Sequence, residues 1–135
     1  MSYGKQLHEY RKTAVNGASP LQLIVMLYDG ALKFIDAGKR AMEEGRVEEQ
    51  NHQLQKAQKI VMELMSCLDM IGGGAVAQNL LALYSFAYNQ LVLGNVEDEP
   101  EYLDQAAKVL TDLRESWVEL ERLTRAPVIE ADDAA

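Results

Sequence analysis

Glycine and proline divide this chain into four long stretches with helical periodicity, and this division constrains the fold more than any other feature. Only three prolines and nine glycines occur in 135 residues, and most lie where a helix would begin or end. The stretches are about twenty residues long and the connections between them are short. Such a pattern predicts an all-α protein that folds as an antiparallel four-helix bundle.

The first helix has the clearest start, and it is predicted to cover residues 20–44. Ser19 can accept a hydrogen bond from an unpaired backbone N–H, Pro20 suits the first helical position, and Gln22 can complete a capping box. The polar residues of this helix form one narrow strip. A helix with so thin a polar strip must be covered on most of its sides.

The second and third helices are predicted at residues 47–68 and 75–93, on either side of Gly72-Gly73-Gly74. The second is amphipathic. In the third, 14 of 19 residues are apolar, but the segment is short for a membrane span and polar residues interrupt it. This composition favours a central, buried helix.

A last loop is expected at residues 94–99, and Pro100 begins a fourth helix with apolar residues at steps of three and four. The predicted bundle therefore covers residues 19–126. Residues 1–18 have no sustained period and are predicted to form a mobile N-terminal arm. Residues 127–135, which are acidic and follow Pro127, are predicted to be a disordered tail.

Composition excludes several classes of function. The net charge of −8 disfavours nucleic acids and anionic membrane surfaces as partners, since both require basic residues. No run of apolar residues is long enough to span a membrane, and the N-terminus lacks the apolar core of a signal peptide. We therefore expect a cytosolic protein that neither binds nucleic acid nor inserts into a membrane.

No catalytic or metal site can be assembled from the sequence, and we expect neither enzyme activity nor a cofactor. Glu49 and His52 have the spacing used in di-iron bundles, but such a site needs a second motif of this kind, and the only other histidine is His8. Cys67, the single cysteine, cannot form an internal disulfide. It lies near a predicted helix C-terminus, where the dipole disfavours a thiolate, so a packing role is expected.

The first and third helices carry more apolar residues than a small bundle needs to bury. Apolar surface of this kind marks a partner-binding face, and an all-helical protein would use it to hold another helix. Alternatively, these two helices form the centre of the bundle with the second and fourth outside. Periodicity alone leaves both interpretations open.

An ordered set of motifs resembles the flagellin-specific export chaperones, the FliS family. Residues 18–31 read ASPLQLIVMLYDGA, residues 56–64 read KAQKIVMEL, and residues 73–84 read GGAVAQNLLALY. The match resumes with LVLGN at 91–95 and LRESW at 113–117. The resemblance covers about residues 7–118.

The resemblance implies a chaperone that binds the disordered C-terminal segment of flagellin, prevents premature polymerisation and delivers flagellin to the flagellar export gate. It also implies an N-terminal tyrosine segment, here with Tyr10, that covers part of the binding surface. The residues expected at this groove or lid are Leu7, Tyr10, Leu23, Met26, Leu27, Tyr28, Asn79, Leu80, Leu83, Tyr84 and Asn95.

Three positions depart from the family pattern. Ala75 replaces the usual acidic residue, Gln90 replaces a common arginine, and Gly94 replaces the usual alanine. These changes affect local polar contacts at the ends of the third helix. The alternative function is a structural or signalling four-helix module that self-associates weakly through its apolar face.

Overall fold

Four helices make up the part of the fold that the structure describes. The computed structural model describes residues 19–134, with side chains described through residue 125. The helices are α1 (Pro20–Glu43), α2 (Val47–Ser66), α3 (Gly74–Glu97) and α4 (Pro100–Ala134), and no strand occurs in this part of the chain. The predicted all-α fold is confirmed. The predicted arm, with Leu7 and Tyr10, lies outside the described residues.

The start of α1 follows from its first four residues, as the sequence predicts. The Ser19 hydroxyl accepts a hydrogen bond from the Gln22 backbone N–H at 3.1 Å, and the Gln22 side-chain oxygen accepts one from the Ser19 N–H at 2.8 Å. Pro20 occupies the first turn, where its missing N–H costs nothing. This reciprocal cap fixes where α1 enters the bundle.

The helices are antiparallel and form a ring. Near one end of the bundle Gln22 of α1 donates to Glu121 of α4 at 3.4 Å, whereas near the other end Lys39 of α1 pairs with Asp104 of α4 at 2.8 Å. α1 packs against α2 and α4, and α3 packs against the same two helices, so that α1 and α3 lie diagonally opposite. The arrangement with the first and third helices as a centre is therefore not the one observed.

All four helices contribute to one core. Its fully buried side chains include Tyr28, Leu54, Ile60, Val61, Tyr84, Leu91, Leu103 and Leu110. Leu54 and Val61, Tyr84 and Leu91, and Leu103 and Leu110 are each seven residues apart, which places the members of each pair on one face of their helix. The core accordingly uses only one face of α3, although α3 is apolar on nearly all sides.

The third helix ends later than predicted, because Gly94 does not terminate it. α3 continues to Glu97, and the chain turns at Asp98, whose φ of 53° is left-handed. A methyl group at residue 94 would lie 2.6 Å from Leu103 Cδ2. Gly94 thus allows close approach of α3 and α4, and the predicted loop at residues 94–99 is wrong for its first four positions.

The fourth helix begins at Pro100 as predicted and runs to Ala134, past Pro127. Since proline has no N–H, one backbone hydrogen bond of this helix cannot form there. The helix is thus longer than the segment expected from the sequence. None of the described helices combines the length and the apolar character that crossing a bilayer requires.

Candidate partner-binding surface

The outward face of α3, which points away from the core, is apolar and exposed. Its large side chains are Val76, Leu83, Phe86, Leu93 and Val96, with exposed fractions from 39% to 74%. The prediction of a central, buried third helix is therefore wrong for this face. The helix has neighbours on two flanks only, so nothing within the described chain covers its far side.

This face also lacks charge. No Asp, Glu, Lys or Arg occurs between Asp69 and Glu97, although the chain as a whole has a net charge of −8. The core side of α3 is formed by other residues, among them Ala77, Tyr84 and Leu91. An uncharged apolar face of this length is unusual on a monomeric protein and is typical of a surface that binds a partner.

Two large apolar side chains of α4, Leu120 and Leu123, are exposed as well. Gly94 of α3 lies against Leu103 of α4, and the two helices run in opposite directions. Val76 lies 18 residues before Gly94 on α3, and residue 121 lies 18 residues after Leu103 on α4. Val76 is therefore level with the turn of α4 that contains Leu120. Leu120 and Leu123 are 45% and 51% exposed. These two leucines line a shallow groove of α4 whose other residues are polar or acidic: Asp112, Glu115, Ser116 and Glu119.

The structure places three of the predicted site residues in the core. Leu27, Tyr28 and Tyr84 are at most 5% exposed. The Tyr28 and Tyr84 hydroxyls share a hydrogen bond of 2.5 Å, and the Trp117 indole N–H donates to the Tyr28 oxygen at 3.0 Å. Their packing and hydrogen bonds connect α1, α3 and α4, which makes these side chains part of what holds the bundle together.

Burial raises the pKa of the Tyr28 phenol, and its hydrogen bond with Tyr84 raises that pKa further. Burial likewise raises the pKa of Tyr84, against a lowering effect of the hydrogen bond from Tyr28. An unfolded tyrosine has a pKa of about 10. The stability of the neutral pair is thus fully present below about pH 10 and is lost as the pH rises further.

We expect the free energy of unfolding to fall above about pH 10 by up to ~1.4 kcal/mol per pH unit for each of the two tyrosines. Tyr28→Phe should make this slope shallower. At pH 7 it should cost about 1–3 kcal/mol, because the Trp117 N–H loses its acceptor. Urea denaturation followed by circular dichroism measures both effects. Tyr102→Phe, at a half-buried position on α4, is the control, and an unchanged slope in Tyr28→Phe would refute this account.

The other predicted site residues divide between two surfaces. Asn79 and Leu83 are exposed on α3, and Leu80 is half-buried beside them. Leu23 and Met26 are half-buried on α1, diagonally across the bundle. Met26 lines a shallow groove of about 290 Å³ with Gln22, Val25, Val118 and Glu121. The two surfaces are thus separate along the described part of the bundle.

Asn95, the last predicted site residue, holds α2 and α3 together. Its side-chain oxygen accepts a hydrogen bond from the buried Gln50 amide at 3.0 Å, and its own amide donates to Asn51 at 2.9 Å. Gln50 also donates to Asp98 at 2.9 Å. These bonds use both ends of the Asn95 amide, so that its role here is to position the end of α3.

No metal site is assembled in the described part of the chain, where no three His, Cys, Asp or Glu side chains converge. Glu49 accepts a hydrogen bond from Gln53 at 2.6 Å, which lowers the Glu49 pKa, and His52 is exposed. Cys67 is also exposed, directly after α2. The expectation that this thiol packs in the interior is therefore wrong.

Phe86 and Leu93, which are exposed on the outward face, were not among the predicted site residues. Apolar composition could not identify them, because the buried side of α3 is equally apolar. The absence of charge from residues 70–96 was the available signal. A buried helix and a partner-binding helix both lack charge, and only the positions of the neighbouring helices distinguish them.

Comparison with known proteins agrees with the motifs. The family model described as flagellar protein FliS matches residues 3–124. The flagellar secretion chaperone FliS of Vibrio cholerae is 35% identical over 115 residues, which cover 82% of this chain and 85% of that protein. The protein of the same description from Bacillus subtilis is 34% identical over 80% of both chains, and that of Salmonella typhimurium is 32% identical over 81% and 82%. The chain described here belongs to the FliS family of flagellar proteins.

Proposed function

We propose that this protein is a flagellar export chaperone that binds the C-terminal segment of flagellin on the outward face of α3. The observation that carries the proposal is the exposed, charge-free apolar face formed by Val76, Leu83, Phe86, Leu93 and Val96. Family membership supports the chaperone role. An amphipathic helix laid along such a face is a recurring mode of recognition among helical proteins.

The chaperone would act by binding and covering its cargo, without catalysing a reaction. A flagellin segment that is covered in the cytosol cannot join a growing filament or be degraded by proteases. A disordered segment loses conformational entropy when it folds on a surface, and this loss leaves a moderate affinity for a large contact area. Moderate affinity suits a cargo that must be released at the flagellar export gate.

Titration calorimetry with the C-terminal segment of a cognate flagellin tests the proposal. We expect a 1:1 complex with roughly forty flagellin residues, which is enough chain to cover two or three helices' worth of surface. Burial of apolar surface should give a negative heat-capacity change. An internal flagellin segment of equal length is the control. Absence of heat and of a complex in size-exclusion chromatography would reject the proposal.

The same experiment distinguishes the proposed chaperone from the alternative function, a module that self-associates. The charge-free face of α3 would also suit a module that self-associates, because two molecules of net charge −8 can approach most easily where neither is charged. Such a module would dimerise in the absence of flagellin and would not bind the flagellin segment. Sedimentation of the free protein over a range of concentrations distinguishes the two functions.

Residues 1–18, the predicted N-terminal arm, are proposed to act as a displaceable lid on the flagellin-binding surface. Burial of two large side chains such as Leu7 and Tyr10 could contribute about 2–4 kcal/mol before ordering costs. Deletion of residues 1–17, which keeps the Ser19 cap, should therefore raise the affinity for the flagellin segment. It should also increase the binding of a hydrophobic dye to the free protein. Unchanged affinity and dye binding would eliminate the lid.

A further inference from the structure

Seven positions on α3 alternate at steps of four and three residues and are all exposed. They are Ala75, Asn79, Ala82, Phe86, Asn89, Leu93 and Val96, and we refer to them as the α3 seam. This spacing is the a/d pattern of a coiled coil, in which each side chain inserts between four residues of a facing helix. The repeat continues through almost the whole of α3.

The α3 seam is not needed for the fold of the bundle. The buried residues of α3 are Ala77, Tyr84, Ala87, Gln90, Leu91 and Gly94, none of which belongs to the seam. One helix thus carries two packing faces, and only the inner face has partners among the described helices. A heptad pattern without a partner helix indicates where one would pack.

Two asparagines interrupt the apolar seam. The Asn79 and Asn89 side chains make no hydrogen bond within the described structure. Asn95, by contrast, uses both ends of its amide. A helix packed on the seam would remove both amides from water. Each would then need a polar group of that helix, because a buried amide without a hydrogen bond is unfavourable.

We propose that the α3 seam receives one helix of the flagellin C-terminal segment and that Asn79 and Asn89 determine its register. This inference rests on the function proposed above. The amides are ten residues apart, or about 15 Å along the helix axis. A register that brings polar side chains opposite both amides satisfies them, and a shift by one heptad leaves them unpaired. A single asparagine in a coiled-coil seam specifies register in the same way.

The residues of the α3 seam also indicate which side chains its partner helix should have. The partner helix should be uncharged where it faces the seam, with two polar side chains separated by about three turns, or roughly 15 Å. Larger apolar side chains should lie opposite Ala75 and Ala82, and smaller ones opposite Phe86 and Leu93, so that the two surfaces interdigitate. A helix of this kind is weakly soluble when exposed, which suits a cargo that requires a chaperone.

Disulfide trapping tests the register. Cys67 is the only cysteine of the chain and is exposed, so Cys67→Ser provides the background. Val76→Cys then places a thiol beside the seam, at an exposed position outside it. Flagellin segments with one cysteine at each successive position are mixed with this variant under oxidised glutathione. We expect fast disulfide formation at one flagellin position and its immediate helical neighbours.

Adding Asn79→Leu and Asn89→Leu should produce a second fast position one heptad away, with an affinity no weaker than before. Gln78→Leu is the matched control, because it removes an exposed amide of α3 outside the seam, and it should retain one register. A single register in the double variant would overturn the role of the asparagines. A complex without trapping at any flagellin position would overturn the docking on α3 while the chaperone function stands. Absence of any complex would overturn both.

Discussion

Phe86→Glu combined with Leu93→Glu should weaken binding of the flagellin C-terminal segment by about a hundredfold or more. Both side chains are exposed, at 44% and 40%, and lie on the outward face of α3. A bound helix would enclose the two carboxylates where α3 itself offers no positive charge, since none occurs between Asp69 and Glu97. Desolvation of an unpaired charge is costly, and the apolar contacts would be lost as well.

Val118→Glu is the control for this prediction. Val118 is an exposed valine of α4, at 38%, and it lines the groove with Met26 of α1, away from the outward face of α3. Its substitution adds one carboxylate where the double variant adds two, and it should change the affinity by less than about twofold, apart from long-range effects that salt screens. Circular dichroism would establish that all variants remain helical. Equal losses in both variants, or none in either, would show that the flagellin segment binds elsewhere.

The elements of this fold could be predicted where a local signal sets them. Ser19, Pro20 and Gln22 fix the start of α1 through hydrogen bonds within one turn, so the sequence contains all the information. Pro100 begins α4 for the same kind of reason. Gly94 shows the limit of such signals. A glycine at this position resembles a helix terminator, but Gly94 lies within α3 and allows the close approach of Leu103 from another helix.

The candidate site was less predictable than the fold. Tyr28 and Tyr84 belong to motifs that resemble the chaperone family, and a motif does not separate residues that bind a partner from residues that hold the surface in place. Their hydroxyls meet each other in the core, which requires the relative positions of α1 and α3. Phe86 was missed because its exposure depends on which side of α3 lacks a neighbouring helix.

The contact between α1 and α2, which is the most extensive in the bundle, provides the prediction with the largest effect on stability. Leu54 of α2 is fully buried, and it lies directly against Gly38 of α1. Leu54→Ala should destabilise the protein by about 2–5 kcal/mol, through lost burial and the cavity that remains. Urea denaturation followed by circular dichroism measures the loss.

The effect of Gly38→Ala on the stability of the protein should change sign when Leu54 is replaced by alanine. In the natural sequence the new methyl group would lie 2.5 Å from Leu54 Cδ2. Overpacking typically costs about 1–3 kcal/mol, which exceeds the ~1 kcal/mol that alanine gains over glycine in a helix. In the Leu54→Ala background the obstructing atoms are absent, so the same substitution should stabilise the protein by about 1 kcal/mol and fill part of the cavity. A double-mutant cycle from four denaturation curves gives the coupling. Additive effects would show that Gly38 and Leu54 do not pack together as described.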